Sequence, residues 1–300
     1  MARRILDASY DAGVRHLDTA NSYGFGQSER IIGDWLQTID RGSVTIATKF
    51  GKAVEPQSSL QLWGRRMLSR PIKSLRRLLG RPRGTFTTVE SDRKTIPHID
   101  TEALRASVRQ SLQSLRTEQL DVLHLHSASP ESVTSQVRST LASLVESGQV
   151  KFIGLATNRT DCEQLINDGL PVGVVQFPDS ACWTHAVRWD ADAAQVVVTH
   201  SVLGRDGSVR SALAGWLRKS EDNKVKWSDI LGLDVSSGEG VAELLIRGAL
   251  ARNQTGGVLC GCSRVRQVAM LKRAIASPLN EQQALDLQQM FQRFAAEVAV

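Results

Sequence analysis

Short apolar runs of strand length alternate with stretches of helical period along almost the whole chain, and that alternation permits few folds. The strand candidates are 14–18, 43–49, 121–125, 151–156, 172–176, 195–199 and 257–261. Several of them (VTIAT, VGVVQ, QVVVT) are β-branched and almost continuously apolar, the pattern of strands buried on both faces. Between them the spacing predicts helices at 28–36, 100–115, 130–148, 160–168, 208–219, 239–252, 264–275 and 281–297. Ser28 and Asp100 or Thr101 stand at N-cap positions. Pro130 suits a first helical turn and Gly148 a stop. Strand and helix in strict alternation make a parallel sheet covered by helices. A barrel of eight such units uses roughly 250 residues. With 300 residues and no linker-like stretch, one barrel over 1–300 fits better than two domains. Two segments break the pattern. The long stretch 51–99 and the polar, Gly/Ser-rich stretch 220–238 read as irregular.

Composition narrows the class further. Apolar residues make up 41%, enough for a sizeable core, and no apolar run reaches 18 residues, which excludes an ordinary membrane-spanning helix. The opening MARRILDASYDAG reads as an amphipathic helix, because Asp7 and Asp11 interrupt any secretory-type apolar stretch. Net charge is +6, but residues 65–83 hold eight Lys or Arg and no acid, and removing those eight charges leaves −2. The basic balance is therefore local and does not indicate a nucleic-acid-binding body. Cys162, Cys182, Cys260 and Cys262 lack zinc-site spacing. Cys260 and Cys262 share one strand face, too near for an ordinary disulfide. All four read as reduced thiols of a cytoplasmic protein.

Three strand ends carry chemistry. GVRHLDTANSYG (13–24) brings Asp18 and Tyr23, VTIATKFG (44–51) brings Lys49, and DVLHLHS (121–127) brings His126. In a parallel barrel the carboxyl ends of the strands are where active sites are built. A carboxylate, a phenol, an amine and an imidazole meeting there suit proton transfer to a carbonyl oxygen. A tyrosine can protonate that oxygen, a neighbouring ammonium makes its phenolate easier to form, and an aspartate holds the amine. A histidine can orient the carbonyl and stabilise the developing oxyanion. No side chain donates hydride, so reduction would require a nicotinamide cofactor. His124, two residues before His126, faces the same way and reads as a core histidine. Gly24 and Gly26 do not open a dinucleotide-binding turn. No metal-ligand cluster is evident.

These segments resemble the aldo-keto reductase family. LDTANSYGFGQSERIIGDWL is similar to the family's stretch with the catalytic Asp and Tyr, ATKF to the strand with the catalytic Lys, and DVLHLHS to the strand with the catalytic His. ASLVESGQVKFIGLATN (142–158), VVQF (174–177), THSVLG (199–204) and GVLCGCSR (257–264) follow in the family's order. The resemblance implies a TIM-barrel-like (β/α)8 fold and NAD(P)H-dependent reduction of an aldehyde or ketone, or the reverse. It implies NADPH as cofactor, with NADH the alternative. It assigns cofactor contacts to Thr157, Asn158, Gln176, Ser201, Leu203, Gly204, Ser263 and Arg264, the arginine standing at a helix start suited to a 2′-phosphate. The rival readings are a non-catalytic cofactor-binding or regulatory barrel and a lyase or isomerase using the same acid/base set.

Two departures from the family are visible. Its fifth strand ends in Ser-Asn, where this chain has Ala156 and Thr157 followed by Asn158. The family's N-terminal hairpin and first strand are expected to be missing here, with a late-starting sequence, a partner chain in the gap and an open seven-stranded barrel as the readings left open, and the segment after the Lys49 strand holds the long basic insertion. A barrel without that strand has exposed edges that offer a route to self-association. The expected partner is a small carbonyl compound, with no nucleic acid and no membrane span.

Overall fold

The computed structural model describes residues 1–51, 98–181 and 195–298. The basic segment 65–83, nearly all of the insertion, and Cys182 lie outside these residues. Strands β1 (His16–Asp18), β2 (Thr45–Phe50), β3 (Leu120–His126), β4 (Val150–Ala156), β5 (Val174–Pro178), β6 (Val196–His200) and β7 (Gly257–Val258) form one sheet in sequential order. Every neighbouring pair is parallel. This is a nearly closed barrel: among the described residues no ladder joins β7 to β1.

The helices lie outside it: α1 (Ala2–Asp11), α2 (Gln27–Leu36), α3 (Thr101–Leu115), α4 (Ser135–Glu146), α5 (Arg159–Asn167), α6 (Ser208–Leu217), α7 (Glu221–Leu231), α8 (Gly238–Arg252), α9 (Val265–Ala276) and α10 (Glu281–Val298). Helix α1 packs against both α2 and α9, so the helical layer continues past the gap between β7 and β1. Its anchors are specific. Trp35 Nε1 donates to Asp7 Oδ1 at 2.9 Å, Tyr10 Oη donates to Ser43 Oγ at 3.0 Å, and the Tyr10 and Trp35 rings meet edge-on at 5.8 Å.

Side-chain parity divides the core. Outward residues such as Ile46, Leu123, Leu125, Ile153 and Val175 pack beneath α2–α5. A second cluster joins α6–α10 around Trp227, Phe291 and Phe294. Inside the barrel Ala47, Val122, Val174 and Val198 meet Leu259 in an apolar layer below the carboxyl ends of the strands. Each fully buried leucine in these clusters contributes about 1.5–3 kcal/mol of transfer free energy.

Three expectations need correction. The stretch 220–238 is not wholly irregular, because Glu221–Leu231 is helical. Its polar sequence hides a narrow stripe in which Trp227 is 1% exposed and Leu231 is buried. The helix expected at 130–148 begins later, at Ser135. Pro130–Ser132 form a separate 3₁₀ turn, and Thr134 caps the helix proper by accepting from Val137 N. The final strand is also shorter than 257–261. Its last ladder bond runs from Leu259 N to Thr199 O at 2.7 Å. Cys260 and Cys262 then pack on the α6–α10 cluster instead of extending the sheet. Both thiols and that of Cys162 are free, and burial pushes Cys162 and Cys260 up to about 12.

Candidate active site

Alternation along the strands sends His16 and Asp18 of β1, Lys49 of β2, and His124 and His126 of β3 to the face that carries the interior apolar layer. Gln176 of β5 joins them. Register sets Lys49 beside His124, and His124 beside Gly154. The polar residues therefore stack above Ala47, Val122, Val174 and Val198, toward the strand carboxyl ends.

The Lys49 side chain is 5% exposed, and its amine forms an ion pair with Asp18 Oδ1. It also donates to the Thr19 carbonyl at 3.1 Å. Burial pushes the Lys49 amine below its ordinary value, and the Asp18 carboxylate opposes that shift. The second Asp18 oxygen accepts from Gln176 Nε2 at 3.2 Å. The Lys49 amine lies 5.3 Å from the centroid of the Tyr23 ring, and Tyr23 is 43% exposed. Asp18, Lys49 and Tyr23 thus form one chain of contacts, from a half-buried carboxylate through a buried amine to a phenol that solvent and ligand can reach. His126 stands at the same end of the next strand, paired in register with Ala156.

Local structure fixes the Tyr23 turn. Gly24, Phe25 and Gly26 all have positive φ, a left-handed run that reverses the chain into α2. Thr19 Oγ1 donates to Ser28 Oγ at 2.9 Å, and Asn21 Nδ2 donates to Ser107 Oγ of α3 at 3.0 Å. Beneath them Glu29 is 1% exposed, and its Oε1 accepts from Thr48 Oγ1 at 2.7 Å and from Ser111 Oγ at 2.8 Å. That carboxylate ties α2 and α3 to the strand carrying Lys49.

Two histidines lie deeper. His124 is fully buried and neither ring nitrogen has a hydrogen-bond partner. Burial, and then the Lys49 charge, hold it well below the usual imidazole range, so it is neutral. His16 Nδ1 lies 2.7 Å from Thr45 Oγ1, and desolvation also lowers this imidazole.

The expected cofactor residues fall into two groups. Gln176 is 2% exposed and presents a buried Oε1 with no partner. Thr157 and Asn158, by contrast, are engaged in starting α5. Asn158 Oδ1 accepts from Asp161 N at 2.8 Å, its Nδ2 donates to Asp161 Oδ2 at 2.6 Å, and Thr157 Oγ1 donates to the same oxygen at 3.4 Å. Ser201 has φ 61° and Gly204 φ 75° in the loop between β6 and α6. A Cβ on Gly204 would lie 2.6 Å from Val209 N, so the loop needs glycine there. Leu203 of this loop packs on the α6–α10 cluster. At the start of α9 the Gln267 side chain accepts from the backbone N–H groups of Ser263 (2.8 Å) and Arg264 (2.9 Å), while the Arg264 side chain is exposed.

Sequence reasoning did not single out His16, Glu29 or the Thr19 carbonyl. A glutamate embedded in SERIIGDWL looks like an ordinary first-turn acid, and a backbone acceptor leaves no mark in a sequence. His16 does carry one signal, since it has the same strand parity as Asp18.

The family model "Aldo/keto reductase family" matches residues 1–291. The chain belongs to this family. It is 28% identical to a D-threo-aldose 1-dehydrogenase of a Pseudomonas species over 160 residues, 52% of this chain and 44% of that protein. That relative is thus matched over less than half of its length. Among solved structures, an aldo-keto reductase of Bacillus halodurans in its holo form superposes with a TM-score of 0.67 at 19% identity, over 98% of this chain and 87% of that one. An aldo-keto reductase of Klebsiella pneumoniae in complex with NADPH gives 0.63 at 18% identity, over 96% and 84%. At such identities the likeness speaks for the fold.

Proposed function

We propose that this aldo-keto reductase, as one barrel over 1–300, interconverts an aldehyde or ketone and the alcohol with NADPH as partner. Tyr23 is the acid/base, Lys49 and Asp18 are its tuning pair, and His126 orients the carbonyl. The observation that carries this reading is the buried Lys49 amine, gripped by Asp18 and the Thr19 carbonyl and set 5.3 Å from the Tyr23 ring centroid. The names of relatives support it: one is a dehydrogenase of aldoses, and one structural neighbour was solved with NADPH.

The residues present fit a nicotinamide. Gln176 Oε1 is a buried acceptor with no partner at the end of the sheet where the tetrad lies, suited to a carboxamide N–H. Ser201, Leu203 and Gly204 would line the cofactor from the loop after β6. Ser263 and Arg264 would hold its phosphate end, the exposed guanidinium favouring a 2′-phosphate. Thr157 and Asn158 would lend hydroxyl and amide groups from the start of α5. When bound, the nicotinamide supplies the hydride.

The chain's own residues manage the proton. Asp18 opposes the loss of charge that burial favours at Lys49, and the ammonium's positive field favours negative charge on Tyr23. The Tyr23 hydroxyl proton passes to the carbonyl oxygen as charge builds there. His126, on the adjacent strand end, donates toward the same oxygen. Exposure of Tyr23 lets solvent return the proton. Tyr23→Phe keeps the ring beside Lys49 but removes the transferable proton. We expect turnover on a panel of aldehydes to fall by about a thousandfold or more while NADPH binding stays within about twofold. Turnover within a few-fold of the parent would sink the assignment.

A further inference from the structure

We propose that Gln176 is a positioning residue that clamps Asp18 across the barrel, so that one amide links the ligand's acceptor contact to the Asp18–Lys49 pair. The inference rests on the reading of Asp18 and Lys49 given above. It starts from two observations: Gln176 Nε2 donates to Asp18 Oδ2 at 3.2 Å, and Gln176 Oε1 is buried with no partner.

An ionised carboxylate only accepts, so the NH₂ of the amide must face Asp18. That fixes which way the amide points, a choice otherwise left open between two similar atoms. The Oε1 atom is consequently the group offered to a ligand, and the ligand must donate. A primary carboxamide meets that demand, whereas a carboxylate does not. The bond also spans the sheet, because β1 and β5 are separated by three intervening strands in the sheet order. Each oxygen of Asp18 therefore has its own partner, Lys49 on one side and Gln176 on the other. The carboxylate can turn toward neither without losing the second. A donor at Oε1 polarises the amide and strengthens its N–H bond to Asp18, since hydrogen bonds in series reinforce one another. Ligand binding thereby tightens the grip on the counter-charge of Lys49.

Remove the clamp and Asp18 is free to rotate. The Lys49 amine is faced by Asp18 and His16 from β1, by Tyr23 from the following turn, and by His124 from β3. Of these, Asp18 is the group that opposes the burial of the ammonium. With Asp18 less well held, the amine loses its proton at lower pH.

Two readouts on the full 300-residue chain test this. The first needs no activity. Gln176→Met should lower the urea midpoint of the unliganded parent. The same change should lower it clearly less in an Asp18→Ala, Lys49→Met background, where no charge is stranded and the clamp has no partner. Equal lowering in both backgrounds would overturn the proposal. The second is the pH profile of kcat at saturating NADPH. In Gln176→Met its basic limb should shift by about half a pH unit, a threefold change in the protonation equilibrium. Weaker NADPH binding with an unmoved limb would reduce Gln176 to a cofactor contact and overturn the positioning role. If the parent chain turns over no carbonyl compound, the proposed function fails, and the urea comparison still decides the clamp.

Discussion

Gly154 and His124 occupy adjacent strands in register, and the structure leaves no room for even one methyl group between them. A Cβ on Gly154 would lie 2.4 Å from His124 Nδ1, 2.7 Å from Cε1 and 3.0 Å from Val122 Cγ1. Ordinary contact begins at 3.4 Å, so the imidazole would have to withdraw by about 1 Å. It has nowhere easy to go, being fully buried and flanked on its other side by the strand of Lys49. Overpacking of this kind costs about 1–3 kcal/mol, and Gly154→Ala should destabilise the chain by that amount. His124→Ala alone leaves a cavity and is destabilising for a different reason. The double variant should be more stable than the sum of the two losses predicts, because the new methyl group then enters the space the ring has left. Urea unfolding of the parent, both single variants and the double variant gives the coupling directly, with an expected magnitude of about 1–3 kcal/mol in the favourable direction. A Gly154→Ala loss below about 0.5 kcal/mol, or strict additivity, would refute the packing argument and with it the placement of His124 beside Lys49.

Acid should also find His124. Its folded-state affinity for protons is depressed, so below the ordinary imidazole value of 6.5 the unfolded chain binds a proton that the native chain does not. Stability contributed by the neutral ring is therefore complete above that pH and is lost as pH falls toward the lower folded value. His124→Gln should flatten the stability slope below pH 6.5 by up to about 1.4 kcal/mol per pH unit, and an unchanged slope in urea titrations at several pH values would rule this out. Glu29→Ala strands the hydroxyls of Thr48 and Ser111 and should cost about 2–5 kcal/mol. Glu29→Gln keeps an acceptor oxygen and should lose less than half of that, and equal losses would show that the charge rather than the hydrogen bonds matters. Arg264→Ala should weaken NADPH about tenfold and leave NADH unchanged in fluorescence titrations, whereas an equal loss for both would remove the 2′-phosphate contact.

Much of the architecture was legible because continuous β-branched runs behave the same in most contexts. VTIAT, VGVVQ and QVVVT became β2, β5 and β6 within a few residues. The helix at 221–231 was hidden because a helix that buries little more than Trp227 and Leu231 has almost no periodic signal. At the site, strand parity was enough to align Asp18, Lys49 and His126. It did not show that Asn158 and Thr157 turn toward Asp161, although an Asn followed three residues later by an Asp is a recognisable helix start. The Gln176–Asp18 bond joins residues 158 positions apart and follows only from the curvature of the sheet, which no local pattern encodes. Glu29 was missed for a related reason, since its hydroxyl partners come from β2 and α3 and are separated from it along the chain.

The most direct test of the account is the fate of the hydride. The parent chain should be incubated with an aldehyde panel and NADPH carrying deuterium at C4 of the nicotinamide on either face, and the products analysed by mass spectrometry. The account predicts an alcohol one mass unit heavier from one of the two labelled cofactors, with its formation abolished in Tyr23→Phe. A folded chain that binds NADPH yet yields no labelled alcohol from any aldehyde would contradict it.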